Sequence, residues 1–257
     1  MTSLAGPQLA LLCAIVACAY VVEGLAGFGA TVLSLTLGAL LVPIGELRLV
    51  LLALGLPFST WVVLRDRAVL DRALLLRLIL PVMGLGVLVG GALSGVALLE
   101  GPWLRRLFGL LVMTFAVAEL WRLRRGEVEA PSARREEGGQ GVSAFTRFWL
   151  LAAGVVHGIY GTGGPLVVTA LGRARLPRTA LRATLQAIWL LFGASLVGLA
   201  LARAQWSSGT TRGVLLLLPA VPLGGWVGHR LHHAVPERTF RLVVNCVLLL
   251  AGAALLR

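Results

Sequence analysis

Two glycine clusters, Gly24-x-x-Gly27-x-Gly29 and Gly158-x-x-Gly161-x-Gly163-Gly164-Pro165, interrupt apolar stretches that otherwise read as helices. An ionisable residue stands immediately before each, Glu23 in the first case and His157 in the second. Glycine frees the backbone and proline removes a donor, so each helix is expected to break or kink there. In hydrocarbon the freed N–H and C=O groups must find partners, and irregular backbone survives only when buried in protein or facing a watery cavity. Pro165 suits the first turn of a new helix beginning after Gly164. The N–H groups of Phe28 to Ala30, and of Thr162 to Gly164, would then converge at helix N-termini, where partial positive charge favours an anion. The expected substrate-binding residues are therefore Gly27, Phe28, Gly29, Ala30 and Thr31 in the first cluster, and Gly161, Thr162, Gly163 and Gly164 in the second. Ionisable groups at membrane depth are costly and are functional candidates by default. Glu23 and His157 are expected to couple transport to protons or contact the substrate; the bland alternative is that they bond backbone groups freed by the breaks. Ser34, Tyr160 and Thr169 offer further hydroxyls nearby.

The elements that must carry these residues follow from composition. Of 257 residues 58% are apolar and 13% charged, against roughly 25% charged in a soluble domain. At about 20 apolar residues per helical crossing the chain has room for roughly eight to ten crossings. The expected fold is an all-α polytopic membrane protein with a broken helix in each half. The net charge of +12 comes entirely from arginine. Because most arginines flank apolar runs, they read as an orientation signal rather than as nucleic-acid or substrate ligands. Cys13, Cys18 and Cys246 sit in apolar runs without ligand spacing, so neither disulfides nor a metal site is expected. No cofactor motif follows the glycines; a phosphate loop would need a Gly-Lys-Ser/Thr that is missing. Met1 to Leu4 lacks a basic n-region, so the first apolar run is expected to remain in the mature protein.

A polar stretch rich in arginine, glutamate and glycine divides the chain into an N-terminal membrane repeat at 1–121, a linker at 122–144 and a C-terminal repeat at 145–257. Sliding the sequence by 134 residues superimposes the two glycine clusters, then Leu37-Gly38 on Leu171-Gly172, Pro43 on Pro177, and Leu47-Arg48 on Leu181-Arg182. If each half crosses an odd number of times from an outer N-terminus, the arginines at 65–77, 122–147, 173–182 and 230–241 all fall inside. That distribution obeys the positive-inside rule and makes the halves inverted repeats, with the linker cytoplasmic. Gly86/Gly90 and Gly91/Gly95 have the small-x-x-x-small spacing of helix packing. Glu119 is expected to snorkel or pair with Arg122, and Gln186 and Asn245 to bond between helices or line a cavity. The histidines at 229, 232 and 233 read as interfacial.

At Glu23-Gly24-Leu25-Ala26-Gly27-Phe28-Gly29 and His157-Gly158-Ile159-Tyr160-Gly161-Thr162-Gly163-Gly164-Pro165 the chain resembles the sulfite exporter TauE/SafE family of bacterial permeases. The resemblance spans nearly the whole chain and implies transport of small anions, often sulfite, sulfonates or related organosulfur compounds, across the cytoplasmic membrane. The family motif often has Asp where this chain has Glu23 and His157, so a symmetrical carboxylate mechanism is in doubt. Ala30 also replaces a glycine. The expected partners are the bilayer and a small anion, and the expected mechanism is secondary transport without cofactor or metal. Two rival classes remain. An intramembrane enzyme would need a reactive cluster that only Glu23 and His157 could begin to supply, and a membrane scaffold would pack its helices without a polar cavity at the glycine breaks.

Overall fold

The computed structural model describes residues 6–94, 102–125, 143–171, 176–231 and 237–256, without the side chains of 178, 229, 237 and 240. Every regular element among them is helical. The first half contains α1 (Gly6–Ala26), α2 (Ala30–Gly38), α3 (Ile44–Arg65), α4 (Arg72–Leu74), which runs through a π-turn into α5 (Leu80–Leu93), and α6 (Pro102–Arg124). In the second half lie α7 (Ala144–Tyr160), α8 (Gly164–Leu171), α9 (Arg178–Ala202), α10 (Ser208–Leu217), α11 (Ala220–Leu231) and α12 (Glu237–Leu255). Helix α6 continues through Arg122 to Arg124, beyond the linker boundary read from composition. Residues 126–142 of that linker, Gly95, and the side chains of the histidines at 229, 232 and 233 lie outside the described residues, while Ser143 and Ala144 cap and begin α7.

Among the described residues, four helices are long and apolar enough to cross a membrane: Gly6–Ala26, Ile44–Arg65, Arg72–Leu93 and Thr179–Ala202. A fifth span results if the pair Ser208–Leu217 and Ala220–Gly228, bent by 40°, counts as one. This is fewer than the eight to ten crossings expected from length and composition. Helix α7 has only 17 residues, α6 carries several arginines and Glu119, and the apolar part of α12 begins at Arg241. Leu64, Leu88, Leu215, Leu223 and Leu250 are exposed on the outer surface, where lipid rather than water would solvate them at low cost.

Helix contacts pair the halves reciprocally. Helix α1 packs on α11 and α7 on α5, the equivalent pair with the halves exchanged, while α3 packs on α9 and α6 on α12. The α3–α9 pair is antiparallel: Gly193 lies against Leu52 and Leu56, and farther along α3 Ser59 meets Gln186. In the α6–α12 pair, Gly109 meets Gly252 and Leu255, and Glu119 meets Arg241, again antiparallel. Glu119 also lies 3.9 Å from Arg122, the pairing expected at an i,i+3 spacing. Asn245 caps nothing across the interface; its amide donates to Arg241 O on its own helix.

Glycines let the α5–α7 and α1–α11 pairs approach. A Cβ added at Gly154 would stand 2.9 Å from the Cα of Gly86, and one at Gly158 2.8 Å from the carbonyl carbon of Gly90. In the other crossing a Cβ at Gly228 would stand 3.0 Å from the Cα of Gly24. Gly91 differs: a Cβ added there would meet nothing nearer than Leu199 Cδ2 at 4.0 Å. Because the obstructing atoms are backbone, relief requires the helices to separate. Gly86→Ala and Gly224→Ala should each destabilise the protein by about 2–3 kcal/mol, read as a lower midpoint in thermal unfolding in detergent. Gly198→Ala, with open space around it, should leave the midpoint unchanged or slightly raised.

Candidate functional site

Both glycine clusters interrupt the helix in the same way. The N–H of Gly27 donates to Glu23 O at 2.7 Å, and that of Gly161 to His157 O at 2.8 Å. Gly27 has φ 80° and Gly161 φ 73°, a left-handed conformation that closes each helix at little cost only because no Cβ is present. The next helix then starts with Leu33 N–H donating to Gly29 O and Val167 N–H to Gly163 O. Pro43 and Pro177 occupy matching N-cap positions of α3 and α9.

The two copies differ in what meets the new helix. In the first, the Glu23 carboxylate, 6% exposed, accepts the Ala30 N–H at 2.7 Å. Its other oxygen accepts from Gln186 Nε2 at 2.6 Å, and the same amide nitrogen donates to Gly27 O at 3.0 Å. A carbonyl oxygen can only accept, so this contact fixes which end of Gln186 carries the nitrogen. The amide oxygen then accepts from Ser59 Oγ at 2.7 Å. Glu23, Gln186 and Ser59 thus tie α1, α9 and α3 together around the first break. In the second copy His157, 2% exposed, has no hydrogen-bond partner at either ring nitrogen. It is held by stacking on Trp189, with ring centroids 5.5 Å apart and planes at 26°. The N–H groups of Thr162, Gly163 and Gly164 make no backbone hydrogen bond.

A cavity of about 40 Å³ joins the two copies. That space holds roughly two to four water molecules, or one ion of similar size. Glu23, Gly29, Ala30 and Thr31 line it from the first copy, and His157, Gly161, Thr162, Gly163 and Gly164 from the second. Of the residues named from sequence, Gly27 and Phe28 are not in the lining. Gly27 contributes its carbonyl to Gln186, and Phe28 packs on Gly164. Ser34 is buried with an unpartnered hydroxyl, Thr169 donates to Pro165 O within its helix, and Tyr160 donates to Leu104 O, away from the cavity.

Tyr20, Ser59 and Trp189 also line the cavity and were not read from sequence. Two of the three, Tyr20 and Trp189, carried a signal, and Ser59 carried none. Tyr20 lies one turn before Glu23, and Trp189 lies one turn after Gln186, in mid-helix rather than near a membrane interface. Two arginines also bear on the breaks. Arg182 packs its side chain across Gly27, where a Cβ would come 2.8 Å from Arg182 Cγ. Arg48, its equivalent, packs across Gly161 and donates through Nη1 to Ile159 O.

The Gln186 clamp is the part of the site most exposed to a single change. Gln186→Leu would leave the Glu23 carboxylate and Ser59 without their buried partner, at a cost of about 3 kcal/mol, and Ser59→Ala about 1 kcal/mol. Thermal unfolding of the two variants in detergent should rank them in that order.

The chain belongs to the sulfite exporter TauE/SafE family, whose profile matches residues 12–255. That is nearly the whole chain, and it includes both breaks and every cavity residue. The family marks it as a multi-pass membrane transporter of sulfite or related small anions. No curated protein and no solved structure shows significant similarity to it.

Proposed function

We propose that the central cavity is the transport site of a secondary transporter for a small oxyanion such as sulfite, a sulfonate or a related organosulfur or carbon oxyanion. The observation that carries this reading is the pairing of an unbonded helix N-terminus at Thr162–Gly164 with the unpartnered, buried His157 in one cavity. Free N–H groups at a helix start attract negative charge, and a neutral imidazole supplies one further donor. The anion sits there, and Glu23 occupies the equivalent place in the first half as a built-in carboxylate. Thr31 and Thr162 add hydroxyls.

Glu23 and the anion share one small cavity, and two negative charges at such separation repel strongly in a low-dielectric interior. A proton that neutralises one of them removes the conflict, which links anion binding to proton uptake through Glu23, with His157 as the second exchange point. The polar cavity at the glycine breaks argues against a packed scaffold, and its lining offers one carboxylate, Glu23, rather than the paired carboxylates of an intramembrane hydrolase.

Antiparallel packing of the equivalent pairs α3–α9 and α6–α12 supports inverted repeats, since repeats of the same orientation would pack their equivalents in parallel. On this reading α1–α2 and α7–α8 each form a broken, re-entrant segment, as Ala30 bonding back to Glu23 and Gly38 lying against Leu12 support for the first, so that three crossings follow in each half. The shorter helices α6 and α12 complete the crossings of a bacterial cytoplasmic-membrane protein with an outer N-terminus and a cytoplasmic linker.

Reconstituted into liposomes, the protein should move sulfite. His157→Ala should lower the rate at least about tenfold, the loss of one charge-assisted hydrogen bond, while the protein stays folded. Unchanged transport would remove the second break from the site. Glu23→Gln should make the rate insensitive to an imposed pH gradient, and a retained response would exclude Glu23 as the coupling group.

A further inference from the structure

A second cavity, of about 20 Å³, lies beside the first and is lined by Arg48, Ser94, Gly158, Arg203 and Gln205 with apolar residues of α3 and α9. Its chemistry differs from that of the central cavity: it brings two guanidinium groups and an amide, and no carboxylate is among its lining residues. Ser94 donates its proton to Gly91 O, so the donors left for a ligand are Arg48, Arg203 and Gln205. Arg48 has one arm engaged with Ile159 O at the end of α7, where the helix dipole favours a cation. Its Nε is buried and makes no hydrogen bond. Glu46, two residues earlier, packs beside Gly209 at the start of α10 and is absent from the lining. Arg203, at the C-cap of α9, is exposed and gives the cavity a cation facing outward.

The two cavities share a wall. Leu52 lines both, Gly158 of one follows His157 of the other in sequence, and Arg48 packs on Gly161, which lines the central cavity.

We propose that the cavity between Arg48 and Arg203 is a second anion station, at which a small oxyanion is captured by the two guanidinium groups before it passes Leu52 to the central site. Guanidinium donors match the oxygens of an oxyanion in pairs, and the small volume restricts the ligand to compact ions. Capture rests on this geometry alone; onward passage rests on the transport reading above.

Equilibrium binding of sulfite to the detergent-purified full chain separates the two. His157→Ala should weaken the central site at least about tenfold and leave the second site unchanged, and Arg203→Gln added to His157→Ala should weaken that second site about tenfold. In liposomes Arg203→Gln alone should raise the KM for sulfite presented on one face of the membrane and leave that for the other face unchanged. Arg203 is exposed, and an unaltered unfolding midpoint checks that the variant is folded. No residual binding in His157→Ala, or residual binding that Arg203→Gln does not change, would overturn the station. Arg203-dependent binding without sulfite movement by the wild type would uphold the station and defeat the transport reading instead.

Discussion

A backbone that leaves its helix inside an apolar protein must have its N–H groups met by something, and at the first break that partner is the carboxylate of Glu23. Its bond to Ala30 N–H, with Gln186 bridging to Gly27 O and Ser59, converts an exposed helix start into a satisfied network. Removing a partner from such a buried set leaves the others desolvated and unbonded. At the second break the same backbone geometry has no such partner. The Ala30 N–H is thus met by a carboxylate while its equivalent at Gly164 is not, and the difference lies at three matched positions: Glu23, Gln186 and Ser59 in one network stand where the other copy has His157, Leu52 and Gly193.

The reciprocal packing gives this exchange its setting. Helix α1 lies on α11 and α7 on α5 through glycines whose missing Cβ atoms allow backbones to touch, and residues of both breaks line one cavity. In a membrane, close packing of small residues substitutes for the hydrophobic drive that water supplies to a soluble core. The arginines that cross the breaks, Arg48 on Gly161 and Arg182 on Gly27, come from the opposite half in each case. A movement of one half against the other would thus disturb both breaks together.

Much of this was legible in the sequence because it is local. The helix interruptions, the matched Glu23 and His157, and Thr31 and Thr162 follow from glycine spacing and a constant 134-residue offset. The helix-packing role of Gly86 and Gly90 follows from a four-residue interval. What was illegible is pairwise and distant. Gln186 stands 163 residues from Glu23, and only the antiparallel packing of α3 on α9 brings Ser59 to it. Composition likewise cast the arginines as orientation markers alone, because nothing local separates an arginine that faces lipid headgroups from Arg48, whose Nε is buried against a cavity. The crossing count expected from apolar totals exceeds the four or five described helices that are long and apolar enough to span, because such totals do not say where a charged turn of α6 or α12 shortens the usable stretch.

The central claim is that an anion occupies the open helix start and Glu23 holds the closed one. Anomalous diffraction from crystals soaked in selenite, a heavier analogue of sulfite, tests it most directly. The account predicts a selenium peak within hydrogen-bonding reach of the Thr162–Gly164 N–H groups and His157, with Glu23 still bound to Ala30 N–H. A peak at Ala30 with Glu23 displaced, or no peak in the central cavity, would contradict it.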